Sequence, residues 1–310
     1  MRLGALPGRA VAKARRDAAR RAGGRSGRGV VLLYHRVADA PGDAWGLSVS
    51  PACFQAHMEL LRSEFHPMSL SELSAAARRR RVPDGAVAVT FDDGYADNFS
   101  TALPLLERHE IPATVFVATA YMGAARAFWW DELEAIFLDG EGGTLAERSA
   151  EHEDANHGVR RLRPREVERA MERYREAAGH SSPVLTGDKR PMSMEELERT
   201  IASPLIDIGA HTRNHADLGA IPAADVRAEV EGSRRDIAEW VGEPPAAFSY
   251  PFGQHGPGAR QTVRRAGFDL GTGTHPMAVT WLSDRYELGR LWVEDEGPEW
   301  LELRMRGLAA

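Results

Sequence analysis

Short apolar runs alternate with amphipathic stretches along most of this chain. Six of the runs have the length and the apolar, partly β-branched composition of strands that are buried on both faces. They are GVVLLYH from residue 29, GAVAVTFDDGY at 85–95, ATVFVATAY from residue 113, LIDIGAH at 205–211, AFSYPFG at 247–253 and DLGTGT from residue 269. Helical stretches separate them, among them CFQAHMELLRSEF from residue 53 and residues 224–242. This alternation predicts an α/β protein with a parallel sheet covered by helices, and the number of strands favours a barrel-like arrangement.

One long segment, at about 124–200, departs from this rhythm. It begins with an aromatic cluster, Phe128, Trp129 and Trp130, and then becomes polar and helical with many Glu and Arg residues. We interpret it as a helical insertion within one domain that spans 29–310. It is too polar to form a second core of its own.

The first 28 residues differ in charge from the rest of the chain. They hold nine basic residues and one acidic residue, a net charge of +8, whereas the other residues carry −14. We expect a basic and flexible tail. The alternatives are weak contact with a membrane surface, or an electrostatic arm for nucleic acid. Arginines interrupt every apolar stretch of this tail, so we expect no secretory signal and a cytoplasmic protein, with a location at the inner face of the membrane as an alternative.

Composition excludes several classes of protein. The chain has one cysteine, Cys53, which excludes a disulfide framework and a cysteine-based zinc site. No apolar run reaches the length of about 18 residues that a transmembrane helix needs. No glycine-rich phosphate loop follows a predicted strand, and the overall net charge is −6, so neither a nucleotide-dependent enzyme nor a nucleic-acid binder is indicated.

Polar residues follow three of the predicted strands at the ends where α/β enzymes place their sites. Asp92 and Asp93 come directly after AVAVTF, His211 and His215 follow LIDIGA, and the turn PFG follows the strand that begins at Ala247. Two imidazoles and one carboxylate suit a divalent metal with open positions, and a second carboxylate can serve as a base. Each feature alone is commonly structural, as a turn, a helix cap or a solvated face. Their joint occurrence at strand ends favours an active site.

These residues resemble the polysaccharide deacetylase family, carbohydrate esterases with a NodB-homology domain. TFDDG at 90–94, GAHTRNH at 209–215 and SYPFG at 249–253 are similar to its first three motifs, in order and spacing. The resemblance implies a distorted (β/α) barrel and metal-dependent removal of an acetyl group from a sugar. It implies Asp92 as the general base, and Asp93, His211 and His215 as metal ligands. It also implies that the backbone N–H of Phe252 holds the oxyanion.

The sequence departs from the family pattern at two positions. Ser249 stands where the family often has an arginine that orients the base, and Glu287–Leu291 lacks the histidine that often serves as general acid. LLYHRV at 32–37 resembles the first strand of a permuted branch, related to the deacetylases of poly-N-acetylglucosamine, in which a histidine on that strand is the acid. We therefore assign this role to His35, with a core or supporting histidine as the alternative. Arg290 is a candidate to replace the missing arginine.

Taken together, these features predict a metal-dependent sugar N-deacetylase with an N-acetylated sugar as its substrate. Zinc is the expected metal, with Co, Ni or Fe as alternatives. A glycan precursor or small glycoside fits a cytoplasmic enzyme better than a finished polymer does. The alternatives are a hydrolase of another C–N amide and a catalytically silent sugar-binding protein. Trp129 and Trp130 are candidates for stacking on the sugar, while Trp281 and Trp292 are expected in the core. The oligomeric state is left open.

Overall fold

The computed structural model describes residues 27–40, 43–124, 126–138, 145–180, 183 and 189–309. The predicted basic tail lies outside these residues, except for its last two positions. The strands are β1 (Val30–Tyr34), β2 (Arg36–Val37), β3 (Ser48–Val49), β4 (His66–Pro67), β5 (Ala86–Phe91), β6 (Ala113–Val117), β7 (Ile206–Ala210), β8 (Ala247–Ser249), β9 (Leu270–Thr272) and β10 (Leu291–Trp292). The helices are α1 (Pro51–Glu64), α2 (Leu70–Arg78), α3 (Leu103–His109), α4 (Trp129–Leu138), α5 (Leu145–Arg160), α6 (Pro164–Ala177), α7 (Met194–Ile201), α8 (Ala223–Val241), α9 (Pro257–Ala266) and α10 (Pro298–Ala309).

The main sheet is parallel throughout the described residues, as the alternation of strands and helices predicts. Its order is β10-β1-β5-β6-β7-β8-β9, and β4 pairs with the start of β5. β1, β5 and β6 are buried along their whole length. Burial on both faces explains why these strands are continuous apolar runs rather than alternating ones.

The segment 285–292 joins the two edges of this sheet. Leu288 bridges to Thr272 at the end of β9, and three residues later the same segment becomes β10 and pairs with β1. The sheet therefore curls back toward its first strand, which confirms the distorted (β/α) barrel as the fold class. This short connection also carries Arg290 across the interior of the curled sheet, where its side chain is fully buried.

Helix α1 shows how local sequence determines an element. The Ser50 side chain caps its first turn by accepting a hydrogen bond from the Cys53 N–H, and a proline follows at the first helical position. Phe54, Met58 and Leu61 then recur at helical spacing, and all three are buried in the core. The predicted helix from residue 53 is thereby confirmed, with its start two residues earlier.

Among the described residues between β6 and β7 there are four helices, α4 to α7. They occupy the segment predicted as a helical insertion. The boundaries of the insertion, at about 124 and 200, and of the domain, 29–310, stay predictions. α4 is tied to the end of β5 by two buried hydrogen bonds: the Tyr95 hydroxyl donates to Asp131, and the Trp130 indole donates to the Tyr95 hydroxyl. The insertion is thus packed onto the same edge of the sheet as the polar motifs.

Two predictions about elements need correction. The run 247–253 is a strand only over its first three residues, and Pro251–Gly253 then form a 3-10 turn, since proline cannot donate to the sheet. Trp281 is 47% exposed under the guanidinium of Arg80 and is not part of the core. In the part of the chain that the structure describes, every helix is too short or too polar to cross a membrane.

A pair of Gly→Ala substitutions tests the close approach of β6 and β7. Gly209 faces Phe116 in register, and a Cβ at this glycine would lie 2.3 Å from the phenylalanine ring. We expect Gly209→Ala to lower the free energy of unfolding by about 1–3 kcal/mol through overpacking. Urea denaturation measures this change.

Gly158, within helix α5, is the matched control, because its Cβ would meet open space. We expect Gly158→Ala to raise the free energy of unfolding by up to about 1 kcal/mol through helix propensity. Equal effects of the two substitutions would show that the β6–β7 contact is not tight.

Candidate metal centre and active site

The carboxyl ends of the parallel strands bring the predicted polar residues to one edge of the sheet. His35 follows β1, Asp92 and Asp93 follow β5, and His211 follows β7. Ser249 ends β8, and Arg290 immediately precedes β10. Residues that are up to 255 positions apart along the chain therefore meet in one place, as expected for a parallel sheet.

Asp93, His211 and His215 form a compact group of buried donors. One ligand atom from each lies within 4.8 Å of the other two. The Asp93 Oδ1 atom is 3.5 Å from His211 Nε2 and 3.3 Å from His215 Nε2. This geometry allows the three residues to hold one metal ion and leaves further coordination positions open.

The backbone at this group is strained. Asp93, Thr212 and His215 have φ angles of 74°, 62° and 53° in the left-handed region, which is uncommon for residues with a side chain. Such a conformation costs on the order of 1 kcal/mol or more and persists where the surroundings enforce it, often at functional sites. Here the turns direct the carboxylate and the imidazoles toward a common point.

The hydrogen bonds of the three residues fit a bound cation. The His211 Nδ1–H donates to the Ser249 carbonyl oxygen over 2.9 Å, which leaves the Nε2 lone pair facing Asp93. Asp93 Oδ1 is buried and has no hydrogen-bond partner in the described part of the chain. Burial raises the pKa of Asp93 well above its ordinary value, and the charge of Asp92 raises it further. A cation against this carboxylate would favour its charged form.

Asp92 is held in a different environment from its neighbour. Its two carboxylate oxygens accept hydrogen bonds from the two terminal nitrogens of Arg290, each over 2.7 Å, and the Ser249 hydroxyl lies 3.2 Å away. Burial alone would raise the pKa of Asp92, but the charges of Arg290 and His211 hold it below the ordinary value. The pKa values of these adjacent carboxyl groups are thus shifted in opposite directions, because only Asp92 is hydrogen-bonded to a guanidinium.

His35 is half-buried, and its ring packs on Trp292 with the centroids 4.6 Å apart. Burial lowers the pKa of His35 to about 4; the charge of Asp92 opposes this shift and the charge of Arg290 adds to it. The imidazole is therefore neutral at pH 7. Before it can protonate a leaving group, it has to gain a proton.

Phe252 lies in the turn that follows β8. Its backbone has a φ of 59°, and its ring packs edge-on against His215 with the centroids 4.6 Å apart. Its ring and its backbone therefore stand beside the candidate metal group.

A cavity of about 240 Å³ is lined by the three candidate metal ligands and by Asp92, His35 and Phe252. Its wall includes residues that the sequence analysis did not select, namely Trp45, Leu47, Asn156, Arg160, Thr274 and Trp292. Trp292 was expected in the core but lines this cavity. Trp130 also lines it and packs on His215, whereas Trp129 is 4% exposed and lies outside it. No sequence pattern marks these wall residues, because they come from separate loops, from helix α5 and from strand β10.

The curled parallel sheet, with a candidate metal site at the carboxyl ends of its strands, defines a protein of the (β/α)-barrel type. The family model for polysaccharide deacetylases matches residues 79–187 and 183–271. The chain belongs to this family. The match includes the TFDDG, GAHTRNH and SYPFG motifs and confirms the resemblance stated above.

Individual relatives are distant. The chain is 20% identical over 265 residues to the putative polysaccharide deacetylase YxkH of Bacillus subtilis, a match that covers 85% of this chain and 70% of that protein. It is 30% identical over 86 residues to the poly-β-1,6-N-acetyl-D-glucosamine N-deacetylase of Escherichia coli, which covers 27% of this chain and 13% of that protein. The solved structure of the deacetylase PplD of Streptococcus pyogenes, in complex with acetate, superposes with a TM-score of 0.62 at 17% identity, covering 90% of this chain and 98% of that one.

Replacing Asp93 tests the metal group directly. In the wild-type chain, Zn²⁺ at a hundredfold excess over its Kd should raise the stability by about 2.7 kcal/mol. We expect Asp93→Asn to abolish most of this response, since the amide oxygen carries no charge. The metal-free variant should be at least as stable as the metal-free wild type, because it removes a buried carboxylate without a hydrogen-bond partner. Thermal denaturation with and without Zn²⁺ measures both effects.

Asp207→Asn is the control. Asp207 lies on β7, the strand that leads to His211, but its side chain is exposed. It should keep the full response to Zn²⁺. A full response in Asp93→Asn would contradict the assignment of the metal ligands.

Proposed function

We propose that this protein is a metal-dependent hydrolase that removes the acetyl group from an N-acetylated sugar. The observation that carries the proposal is a deprotonated carboxylate, Asp92, held within 3.8 Å of the metal-binding histidine His211 inside one cavity. A base beside a metal site is suited to the hydrolysis of an unactivated amide by an activated water. Membership of the polysaccharide deacetylase family supports the same reaction.

Asp93, His211 and His215 would hold the metal ion. Zinc is our first assignment, with Co, Ni or Fe as alternatives that the same donors accept. When bound, such an ion supplies Lewis acidity, which lowers the pKa of water and polarises a carbonyl group. The remaining chemistry belongs to the side chains and the backbone of this chain.

We assign proton abstraction from water to Asp92. Arg290 would act as a positioning residue: its two hydrogen bonds fix the plane of the carboxylate, and its charge keeps the carboxylate deprotonated. This arrangement replaces the arginine that the family often has at the position of Ser249. The Ser249 hydroxyl, 2.9 Å from an Arg290 nitrogen, completes the contact.

We assign the other two steps to Phe252 and His35. The Phe252 N–H would donate to the oxyanion that forms when water adds to the acetyl carbonyl. His35, which is partly exposed, would take up a proton from solvent and give it to the sugar nitrogen as the C–N bond breaks, while the proton that Asp92 took from water returns to solvent. The products are acetate and a free amine.

The substrate is proposed as an acetylated amino sugar within a glycan precursor or a small glycoside. The relatives from Escherichia coli and Staphylococcus aureus are poly-β-1,6-N-acetyl-D-glucosamine N-deacetylases by name, which supports an N-acetylglucosamine-like unit. The cytoplasmic location expected from the sequence stays a prediction, and cell fractionation checks it.

Acetate release after removal and return of the metal tests the proposed function. We expect chelation to abolish acetate release from N-acetylglucosamine oligomers, nucleotide sugars or small glycosides, and Zn, Co or Ni to restore it. Asp92→Asn should bind the metal normally but release acetate at least about 100-fold more slowly, because the base is lost. Enzymatic detection of acetate and metal analysis of the same samples give both quantities.

Two outcomes would favour the alternatives. Release of another acyl group, but not acetate, would indicate a hydrolase of a different C–N amide. Metal and sugar binding without release of any product would indicate a silent sugar-binding protein.

The role of His35 is tested by comparing two leaving groups. We expect His35→Ala to lower the rate on an N-acetyl sugar by about 10²–10⁴-fold, the usual range for general acid catalysis. The rate on 4-nitrophenyl acetate should fall much less, because a nitrophenolate leaves without protonation. Equal losses on both substrates would mean that His35 acts as a wall residue against Trp292 and not as the acid.

Arg290→Lys tests the positioning of the base. Lysine keeps the positive charge but cannot make two parallel hydrogen bonds to Asp92, so we expect kcat to fall about 100-fold while metal affinity is retained. Steady-state kinetics and metal titration measure the two effects. Arg285→Lys, in the same segment but outside the cavity, is the control and should leave kcat unchanged. A wild-type kcat in Arg290→Lys would show that the orientation of Asp92 does not depend on this pair.

A further inference from the structure

Helix α5 presents one face toward the cavity. His152, Asn156 and Arg160 are spaced by four residues and therefore lie on the same side of the helix. Asn156 and Arg160 line the cavity, and His152 packs on the wall residue Trp45 with the ring centroids 5.0 Å apart. The insertion thus builds part of the wall that surrounds the candidate metal centre.

Arg160 is held in place from two directions. Its Nε–H donates to Asp217 over 2.9 Å, and its guanidinium lies 4.0 Å from the centroid of the Phe252 ring. Phe252 in turn packs on the metal-binding residue His215. The Arg160 side chain is still 25% exposed, and within the described residues its Nε is the only nitrogen of the guanidinium with a hydrogen bond to the protein. The two terminal nitrogens are therefore fixed in position and available to a ligand.

A planar guanidinium with two available terminal nitrogens is suited to a phosphate or carboxylate. The charges around the cavity also favour one side of it for an anionic part of the substrate. Trp45 and Trp292 also line a second groove, which includes five acidic residues and does not include Arg160: Asp39, Asp43, Glu294, Asp295 and Glu296. An anionic group on the substrate would be repelled from this groove and attracted to the side of Arg160.

We propose that Arg160 binds a phosphate group carried by the acetylated sugar, so that the substrate class is a phosphorylated amino sugar. This inference rests on the proposed function and makes Arg160 its specificity-determining residue. The phosphate could belong to a sugar 1-phosphate or to a diphosphate linkage, and both present the same oxygens to the guanidinium. A neutral glycoside would bind the rest of the cavity without this contact.

The test compares two substrates that share the acetylated sugar and differ in the anomeric substituent, a charged phosphate in one and a neutral methyl group in the other. These are N-acetyl-α-D-glucosamine 1-phosphate and methyl N-acetyl-α-D-glucosaminide. In the wild-type protein we expect kcat/KM to be at least about tenfold higher for the phosphate, as for a charge-assisted hydrogen bond. Arg160→Gln should remove this preference, and Arg160→Lys should retain part of it. UDP-N-acetylglucosamine as a third substrate distinguishes a diphosphate linkage from a simple monophosphate.

Arg163→Gln is the matched control. Arg163 belongs to the same insertion and also pairs with an aspartate, Asp225, but it does not line the cavity. It should leave the preference for the phosphate unchanged. In addition, raising the salt concentration should raise the KM of the phosphorylated substrate far more than that of the neutral one, because Arg160 is partly exposed.

The two proposals fail in different ways. If Arg160→Gln lowers kcat/KM equally for both substrates, Arg160 is structural and the inference is wrong, although the deacetylase remains. If no substrate releases acetate, the proposed function fails, and calorimetric binding of the sugar 1-phosphate to the metal-loaded protein still tests Arg160. Equal affinity in the wild type and Arg160→Gln would then overturn the inference as well.

Discussion

The buried ion pair between Asp92 and Arg290 is the interaction on which the rest of the site depends. A carboxylate and a guanidinium that are both removed from water are costly unless their geometry is close to ideal, and here two parallel hydrogen bonds of 2.7 Å join them. The pair is possible because segment 285–292 spans the two edges of the curled sheet. The segment that closes the sheet therefore also supplies the guanidinium that keeps the proposed base charged.

The two adjacent aspartates show how a parallel sheet separates functions. Asp92 faces Arg290 and stays charged, while Asp93 turns through a left-handed backbone conformation toward two imidazoles. The same strand end thus supplies both a candidate base and a candidate metal ligand. His211 lies between the two carboxylates: its Nε2 atom is 3.5 Å from Asp93 Oδ1 and 3.8 Å from Asp92 Oδ2. Its Nδ1 atom is hydrogen-bonded to the Ser249 carbonyl oxygen.

The helical insertion supplies part of the wall of the cavity. Helix α5 lies beside the candidate metal site and contributes Asn156 and Arg160, while Trp45 comes from a loop and Trp292 from strand β10. The proposed chemistry is thus placed on the rigid strand ends, and the proposed selectivity is placed on elements that pack over them. This division fits a fold in which the reaction is retained while the substrate changes.

Hydrophobic periodicity and short motifs were enough to predict the parallel sheet, the fold class and the neighbourhood of Asp92, Asp93, His211 and His215. These features are local: an apolar run determines a buried strand, and residues that follow parallel strands meet at one edge. Tertiary structure alone decided which side chains complete the site. The sequence named Arg290 as a candidate partner of the base, but only the fold brings it to Asp92 across 198 positions of the chain. Trp292, which was expected in the core, lines the cavity, and Arg160 comes from the insertion. Such contacts depend on how the sheet curls and how the helices pack, and no local pattern encodes them.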